Sequence, residues 1–342
     1  MKLLEEIPVS ILDLATVIEG DTGIGGAFNR SVQFAKAAEK EGYTRYWFAE
    51  HHNMESVASS ATAVLIGHVA VHTTSIRVGA GGVMLPNHAP LIIAEQFGTL
   101  ETLFPGRIDL GIGRAPGTDQ LTAAALRRTL RADIREFPND VQELLDYLGP
   151  AAPDAKVIAV PGQGTQVPVW LLGSSTYSAQ LAAHLGLPFA FASHFAPTQL
   201  REALHLYRTL FQPSVYLQKP YALACVNAIF AESDEEGEYL SSSFYQLALG
   251  MVRNQRRPLP RPVENMDVLW SDYEEMAVRQ MLKYSFSGSS ETVARQLQTF
   301  LDETEVDEIM LATHIHDDDL KKRSISKAAT FFRKTVSDPV IR

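Results

Sequence analysis

The feature that most constrains the fold is the regular alternation of short apolar segments with segments of helical periodicity. Eight strand candidates are spread over the 342 residues: 9–14, 46–49, 76–79, 108–112, 167–172, 189–192, 221–230 and 308–313. Strands that alternate with helices indicate a parallel sheet, because parallel neighbours need crossover connections. An open doubly wound sheet uses five or six strands, so eight predict closure into a (β/α)8 TIM barrel.

Two long stretches interrupt this alternation. Residues 114–166 separate the fourth and fifth strands and contain a predicted helix at 141–148, and residues 233–287 follow the seventh strand. The second stretch is mostly helical in pattern around a proline-rich break at 258–262. Neither has the composition of a linker, so we expect one domain over 1–342, with these insertions contributing to binding specificity.

Charge and composition exclude several classes of protein. The formal net charge of −10 argues against a nucleic-acid surface, which needs a basic stripe. The single cysteine, Cys225, allows no internal disulfide and is typical of a reducing compartment. The first eight residues contain charges and no apolar core follows, so no signal peptide is predicted. We expect a cytoplasmic protein that binds neither nucleic acid nor membrane.

Polar residues cluster immediately after the predicted strands. In a barrel these positions face the active-site mouth at the carboxyl ends of the strands. They include Glu50-His51-His52 after the second strand, Arg114 after the fourth, Gly173-Ser174-Ser175 after the fifth, Ser193-His194 after the sixth, and His314 and His316 after the eighth. Their joint placement predicts an active site at this end of the barrel.

Two segments at predicted strand ends, 50–52 and the glycine run 79–82, favour particular chemistry. Glu50, His51 and His52 place an acid and two imidazoles at one rim, where they could serve as general acid or base or clamp a planar cofactor. A histidine that only bonds a loop carbonyl is the alternative. The glycine run at 79–82 leaves bare backbone at a strand end, and the residues after it do not open a helix, so a flat ring suits it better than a phosphate.

The best candidate for an anion site is the segment from the fifth strand into the next helix. Gly173, Ser174, Ser175 and Thr176 join the two directly, so free backbone N–H groups, hydroxyls and a positive helix terminus coincide. An ordinary serine N-cap is the alternative. Arg114 follows the neighbouring strand and could supply a counter-charge. Arg114 and the segment 173–176 together favour a site for a phosphate monoester.

These residues resemble a known family, the bacterial-luciferase-like flavin monooxygenases. The resemblance covers nearly the whole chain and is densest in WFAEHHN at 47–53, in the stretch VGAGGVMLPNHAPLIIAEQFGTLETLFPGRIDLGIGRAPG at 78–117, and in LLGSSTYSAQLAAHLGLP at 171–188. The middle stretch is the most specific because of its length. The chain is more similar to other bacterial members than to true luciferase.

The resemblance implies a flavin-dependent monooxygenase with dissociable reduced FMN, O₂ and a small organic substrate. It also implies a separate NAD(P)H-flavin reductase and a homodimer. Light-emitting members carry a reactive cysteine where this chain has Gly113, so luminescence is not expected.

The resemblance also implies residue roles. His51 corresponds to the catalytic base beside Glu50, and a non-proline cis peptide between Gly81 and Gly82 supports the flavin ring. Arg114, with hydroxyls of the 174–178 turn that include Ser175 and Ser178, holds the phosphate.

Three alternatives stay open at this point. One is a deazaflavin-dependent oxidoreductase of the same fold. Another is a metal-dependent barrel hydrolase that uses His51, His52, His194 and His314 or His316, although we predict no bound metal because acidic partners at ligand spacing are scarce. A non-catalytic flavin-binding protein is the third.

Overall fold

The computed structural model describes residues 2–115, 117–126, 136–151, 154–255 and 257–332. Parts of the predicted insertion at 114–166, namely 116, 127–135 and 152–153, lie outside the described residues, as do residue 256 of the second insertion and the end of the predicted domain at 333–342.

Eight parallel strands form a closed barrel, as the sequence predicts. They are β1 (Val9–Asp13), β2 (Arg45–Phe48), β3 (Arg77–Met84), β4 (Ile108–Gly113), β5 (Val169–Gly173), β6 (Phe189–Phe191), β7 (Ala222–Ala231) and β9 (Glu308–Ala312). Each pairs with the next in chain order, and pairing of β7 with β9 and of β9 with β1 closes the ring. The predicted (β/α)8 fold is confirmed.

Helices cover the barrel and fill the connections. They are α1 (Gly25–Glu41), α2 (Thr62–Ala70), α3 (Pro90–Leu103), α4 (Gln120–Leu126), α5 (Phe137–Leu148), α6 (Thr176–Leu185), α7 (Leu200–Leu210), α8 (Asp234–Val252), α9 (Asp272–Met281), α10 (Ser290–Thr304) and α11 (Asp318–Ala329). The helix predicted at 141–148 is part of α5, which begins four residues earlier. No helix in the described ranges combines the length and apolar character needed to cross a bilayer.

A ninth strand lies outside the barrel and was not predicted. The strand β8 (Ser285–Ser289) pairs in parallel with the second half of β7, whereas the first half of β7 pairs with β9. The ten-residue β7 therefore extends past the barrel rim, and β8 continues the sheet there. Its sequence, SFSGS, lacks the apolar alternation by which a strand is recognised.

The third strand is longer than predicted. β3 runs on through the glycines to Met84, so the glycine run lies within the strand. The register of β3 against β4 shifts between Gly81 and Val83, which is a β-bulge at Gly82. The bulge places these glycines at the carboxyl-terminal mouth.

A buried ionic network fills the amino-terminal end of the barrel. Arg45, fully buried, pairs with Asp109 at 2.9 Å and with Glu308 at 3.0 Å. Trp47 Nε1 and Tyr221 Oη donate to the same two carboxylates at 3.0 and 2.8 Å. Buried charges need such partners because they have lost their hydration. The network therefore fills the barrel interior at this end with side chains that already have partners.

Candidate active site

A cavity at the carboxyl ends of the strands brings most of the predicted site residues together. Its walls contain seven of them: His51, Gly81, Gly82, Arg114, Ser174, Ser175 and Ser178. The other two, Glu50 and Thr176, lie next in sequence to wall residues without lining the cavity. These residues come from the ends of β2, β3, β4 and β5, so closure of the barrel is what assembles the site.

Arg114 lines this cavity, and its charge has no partner among the described residues. Its guanidinium lies over the ring of Tyr177 with 4.0 Å between the guanidinium carbon and the ring centroid. Among the described residues it makes no hydrogen bond and no ion pair. A stacked guanidinium keeps its planar donors available for a phosphate or carboxylate. The Tyr177 contact was not predicted, because no sequence spacing connects Tyr177 with Arg114.

The amino terminus of α6 faces the same cavity with unused donors. Its N-cap residue, Ser175, has extended backbone at φ −144° and ψ 172°, and its side chain does not cap the helix. None of the hydroxyls of Ser174, Ser175, Thr176 and Ser178 bonds to a described residue. The first-turn N–H groups have no partner within the helix, and the helix dipole makes this end positive. The arrangement suits an anion.

The glycines of β3 bring bare backbone to the cavity. The Gly81–Gly82 peptide bond is cis, as the resemblance implies. A Cβ on Gly81 would lie 2.9 Å from the Trp47 ring, and one on Gly82 would lie 2.7 Å from the carbonyl oxygen of Gly111. Only glycine fits at these two positions, since the barrel interior lies directly behind them.

Glu50 is buried behind this wall and accepts several hydrogen bonds. Its carboxylate receives Nε2 of His52 at 2.9 Å, Nε2 of His88 at 3.0 Å and the backbone N–H of Met84 at 3.0 Å. Its own backbone N–H donates to the carbonyl oxygen of Gly82 at 3.1 Å. Glu50 thus ties the loop after β2 to the segment that carries the cis peptide.

The Glu50 carboxyl is ionised at any physiological pH. Burial alone would raise its pKa, but the hydrogen bonds from His52 and His88 and the Met84 amide outweigh burial and hold the pKa at about 2. A side chain that is 1% exposed and carries these bonds cannot exchange protons with a ligand in the cavity. The part of His88 in this network was not predicted, because no sequence spacing connects it with Glu50.

His51 is the imidazole of the pair that reaches the cavity. Its Nδ1 lies 3.4 Å from the carbonyl oxygen of Gly117, so a proton on Nδ1 leaves Nε2 as an acceptor. Burial lowers the pKa of His51, although the Gly117 carbonyl and the Glu50 charge partly oppose this. His51 is therefore neutral at pH 7 and able to accept a proton. His52 instead bonds Glu50.

A second cavity of about 340 Å³ meets the first at His51. Both insertions line it, the first through residues 117–119 and the second through residues between 247 and 257. Met54, Leu247 and Met251 form apolar wall, while Asn254, Gln255 and Arg257 bring polar groups. Both insertions therefore contribute to the walls beside His51.

Two further histidines lie at the mouth with unpartnered nitrogens. Nδ1 of His194 and Nδ1 of His314 are both buried and have no hydrogen-bond partner among the residues that the structure describes. His194 lines the cavity that holds Arg114, while His314 stacks on Phe244 at 4.0 Å between ring centroids. The sequence placed both at strand ends but predicted no role for either in a flavin site.

The histidines do not assemble into a metal site. Among the residues that the structure describes, no three His, Cys, Asp or Glu side chains are arranged to hold an ion. His52 Nε2 is bonded to Glu50, and His316 Nε2 lies 2.9 Å from the carbonyl oxygen of Glu19. A structural or catalytic zinc needs three or four convergent ligands, and these contacts leave too few.

Sequence comparison relates the chain to a family of known proteins. A family model described as luciferase-like monooxygenase matches residues 8–308. A luciferase-like monooxygenase of Escherichia coli (strain K12) is 54% identical over 94% of this chain and 96% of its own length. An N-acetyl-S-alkylcysteine monooxygenase of Bacillus subtilis (strain 168) is 42% identical over 54% of this chain and 57% of its own length.

Structural comparison agrees with this relationship. The crystal structure of apo-MsnO8 superimposes with a TM-score of 0.89 at 33% identity, covering 96% of this chain and 99% of the other. The oxygenating constituent of 3,6-diketocamphane monooxygenase from Pseudomonas putida, in complex with FMN, shares the fold at 13% identity, with a TM-score of 0.72 and 98% and 99% coverage. An F420-dependent secondary alcohol dehydrogenase also shares it, at 14% identity, with a TM-score of 0.62 and 94% and 99% coverage.

Proposed function

Since this chain belongs to the luciferase-like monooxygenase family, we propose that it oxygenates a small organic substrate with reduced FMN and O₂. When bound, the reduced flavin supplies the two electrons that let one oxygen atom of O₂ enter the substrate while the other leaves as water. The observation that carries the proposal is the unpaired, stacked Arg114 beside the uncapped amino terminus of α6.

The two ends of FMN match the two sides of the cavity. A phosphate monoester carries nearly two negative charges at neutral pH, and Arg114 with the Ser174–Ser178 turn provides a fixed cation, hydroxyls and free N–H groups. The bare backbone of Gly81 and Gly82 would hold the isoalloxazine ring, and a side chain on either glycine would collide with the barrel. The donor set of this chain therefore fits FMN.

We assign the general base to His51. It lies where the flavin cavity meets the second cavity, and its neutral ring can accept a proton at Nε2 when Nδ1 faces Gly117. Its lowered pKa keeps the base form present at neutral pH. Glu50 acts as a positioning residue, since it holds the Met84 amide and the Gly82 carbonyl and does not touch the cavity.

The organic substrate binds, in this proposal, in the cavity of about 340 Å³ beyond His51. Its mixture of methionine and leucine side chains with amides and Arg257 suits a molecule with an apolar chain and a polar head. The related enzyme named for N-acetyl-S-alkylcysteine makes thioethers of that class the first compounds to test.

Reduced flavin comes from a separate NAD(P)H-flavin reductase, and the protein acts as a homodimer. Exposed apolar side chains on α2 and α3, two helices that pack against each other, support the dimer. Val64 is 70% and Leu103 is 64% exposed, and Val71 at the end of α2 and Ile92 in α3 are exposed as well. Such a surface is typical of an interface.

The need for a separate reductase can be tested directly. Mixing the protein with a reductase, NAD(P)H and FMN should give substrate-dependent turnover, and omitting the reductase should abolish it.

A titration with FMN and with the deazaflavin coenzyme F420 tests the cofactor assignment. We expect FMN to bind in the micromolar range or tighter and F420 to bind at least tenfold more weakly. Quenching of flavin fluorescence reports FMN binding, and absorbance reports F420. Tighter binding of F420 than of either redox form of FMN would favour the deazaflavin oxidoreductase instead.

A further inference from the structure

His194 is the one imidazole of the flavin cavity that the proposed function does not use. It follows β6, on the strand neighbouring β5, and lines the same cavity as Arg114 and Ser174. It does not line the second cavity, where we place the organic substrate. A ligand that meets His194 is therefore the ligand of the flavin cavity.

The ring of His194 lacks partners although its main chain is held in place. The carbonyl oxygen of His194 accepts Nδ2 of Asn227 at 2.7 Å, and the neighbouring Ser193 hydroxyl donates to the carbonyl oxygen of Cys225 at 2.6 Å. The Phe195 ring meets the imidazole edge at 4.8 Å between centroids. Among the described residues neither ring nitrogen has a hydrogen-bond partner; Nδ1 is shielded from solvent, whereas Nε2 is not buried and is the nitrogen through which His194 can meet a molecule in the cavity.

Unpaired buried nitrogens are rare in folded proteins because they lose water without replacing it. Here the carbonyl of the same residue is bonded and β6 is anchored to β7, so a simple shift of the chain does not satisfy the ring. A molecule bound in the cavity can bond the accessible Nε2, which leaves the buried Nδ1 to a change of ring orientation alone.

The chemical state of the ring narrows what it binds. Burial and the nearby His51 lower the pKa of His194 to about 3, so the ring is neutral at pH 7. A neutral imidazole offers one N–H donor and one nitrogen acceptor, and it adds no charge for a phosphate. Hydroxyl, carbonyl and amide groups are its natural partners, and outside its phosphate a flavin offers hydroxyls on the ribityl chain and carbonyl and N–H groups on the ring.

We propose that His194 is a flavin-binding residue that forms a hydrogen bond to the cofactor outside its phosphate. This inference rests on the proposed function, because it requires a flavin in this cavity. Two residues then contribute separately to flavin affinity. Arg114 is charged and binds the phosphate, whereas His194 is neutral and bonds the rest of the cofactor.

Equilibrium titration of the intact protein with FMN, riboflavin and lumiflavin tests this. His194→Leu should weaken FMN and riboflavin by the same factor, about 3–10-fold, the range of one neutral hydrogen bond. His194→Gln keeps a polar group near the position of Nε2 and should restore most of the affinity. Lumiflavin lacks the ribityl chain, so a loss that persists with it assigns the bond to the ring, and a loss that disappears assigns it to a ribityl hydroxyl.

His314→Leu is the matched control. It removes another buried imidazole with an unpartnered Nδ1, but His314 lines a separate small cavity with Asn227 and Ser285. It should leave all three affinities unchanged. Unchanged flavin affinity in His194→Leu, equal losses in His314→Leu, or a Gln variant no better than Leu would overturn the inference alone. A wild-type protein that binds neither FMN nor riboflavin would overturn the proposed function as well.

Discussion

Replacement of Arg114 by alanine should separate the phosphate of FMN from the rest of the cofactor. The guanidinium has no ion pair among the described residues, so its removal leaves no carboxylate buried without a partner. The change deletes one charge and the stacking contact with Tyr177 at 4.0 Å. Its effect should therefore fall on the bound anion.

The size of the effect follows from a charge-assisted hydrogen bond. Such a bond contributes about 1.5–3 kcal/mol, which corresponds to a loss of about 10–150-fold in FMN affinity. Riboflavin carries no phosphate, so its affinity should change by less than about twofold. The contribution should also shrink as ionic strength rises, because Arg114 is partly exposed and salt screens exposed charges.

Fluorescence titration of wild type, Arg114→Ala and Arg114→Lys with both flavins measures this. Lysine keeps the charge but neither the planar donors nor the stacking on Tyr177, so its FMN affinity should lie between the other two. Equal losses for FMN and riboflavin in Arg114→Ala would refute the reasoning, because the arginine would then support the cavity as a whole. No loss for either would place the phosphate elsewhere.

Four further predictions concern Glu50, His51, Gly82 and Val64. Glu50→Gln should lower the free energy of unfolding by about 3 kcal/mol at pH 7 in urea titrations, because the folded pKa of Glu50 is about 2. The stability from this lowered pKa is present above about pH 4.5 and is lost as the pH falls toward 2. An equal loss at pH 7 and pH 2.5 would contradict the prediction. His51→Ala should lower turnover by about 10²–10⁴ and leave FMN affinity within a few-fold, and the wild-type rate should fall as pH drops through a value below 6.5, because the base is then protonated. Gly82→Ala should cost about 1–3 kcal/mol of stability in thermal or urea unfolding, since its Cβ would lie 2.7 Å from the carbonyl oxygen of Gly111; a neutral effect would mean that the bulge relaxes freely. Val64→Lys should shift the protein from dimer to monomer in sedimentation, whereas a dimer that survives the change would place the interface on another face.

The barrel was predictable from the sequence because its signals are local. Each barrel strand is a short apolar run beside a segment of helical period, and eight such units admit few topologies. That Arg114 and the serine turn line one cavity was predictable for the same reason, since β5, the turn and α6 are contiguous and Arg114 directly follows the adjacent strand. By contrast, the strand β8 has no apolar alternation, and its pairing with β7 depends on the path of the intervening insertion.

The environment of Glu50 was not predictable, although its position was. The motif placed it at the rim beside two histidines, which suggested proton transfer. In the fold it turns inward, and His88, 38 residues further along, joins His52 on the same carboxylate. Which side of a loop faces a cavity depends on contacts between distant segments, and one sequence does not encode these as a recognisable spacing.

Oxygen-isotope labelling tests the central claim, that this protein is an FMN-dependent monooxygenase, most directly. The protein is supplied with FMN, a flavin reductase, NAD(P)H and a panel of N-acetyl-S-alkylcysteines and other small thioethers under ¹⁸O₂, and the products are weighed by mass spectrometry. Our account predicts one ¹⁸O atom in each product molecule, formed only when both protein and FMN are present and greatly reduced in His51→Ala. A product whose new oxygen comes from water, or one formed equally well without O₂, would contradict it.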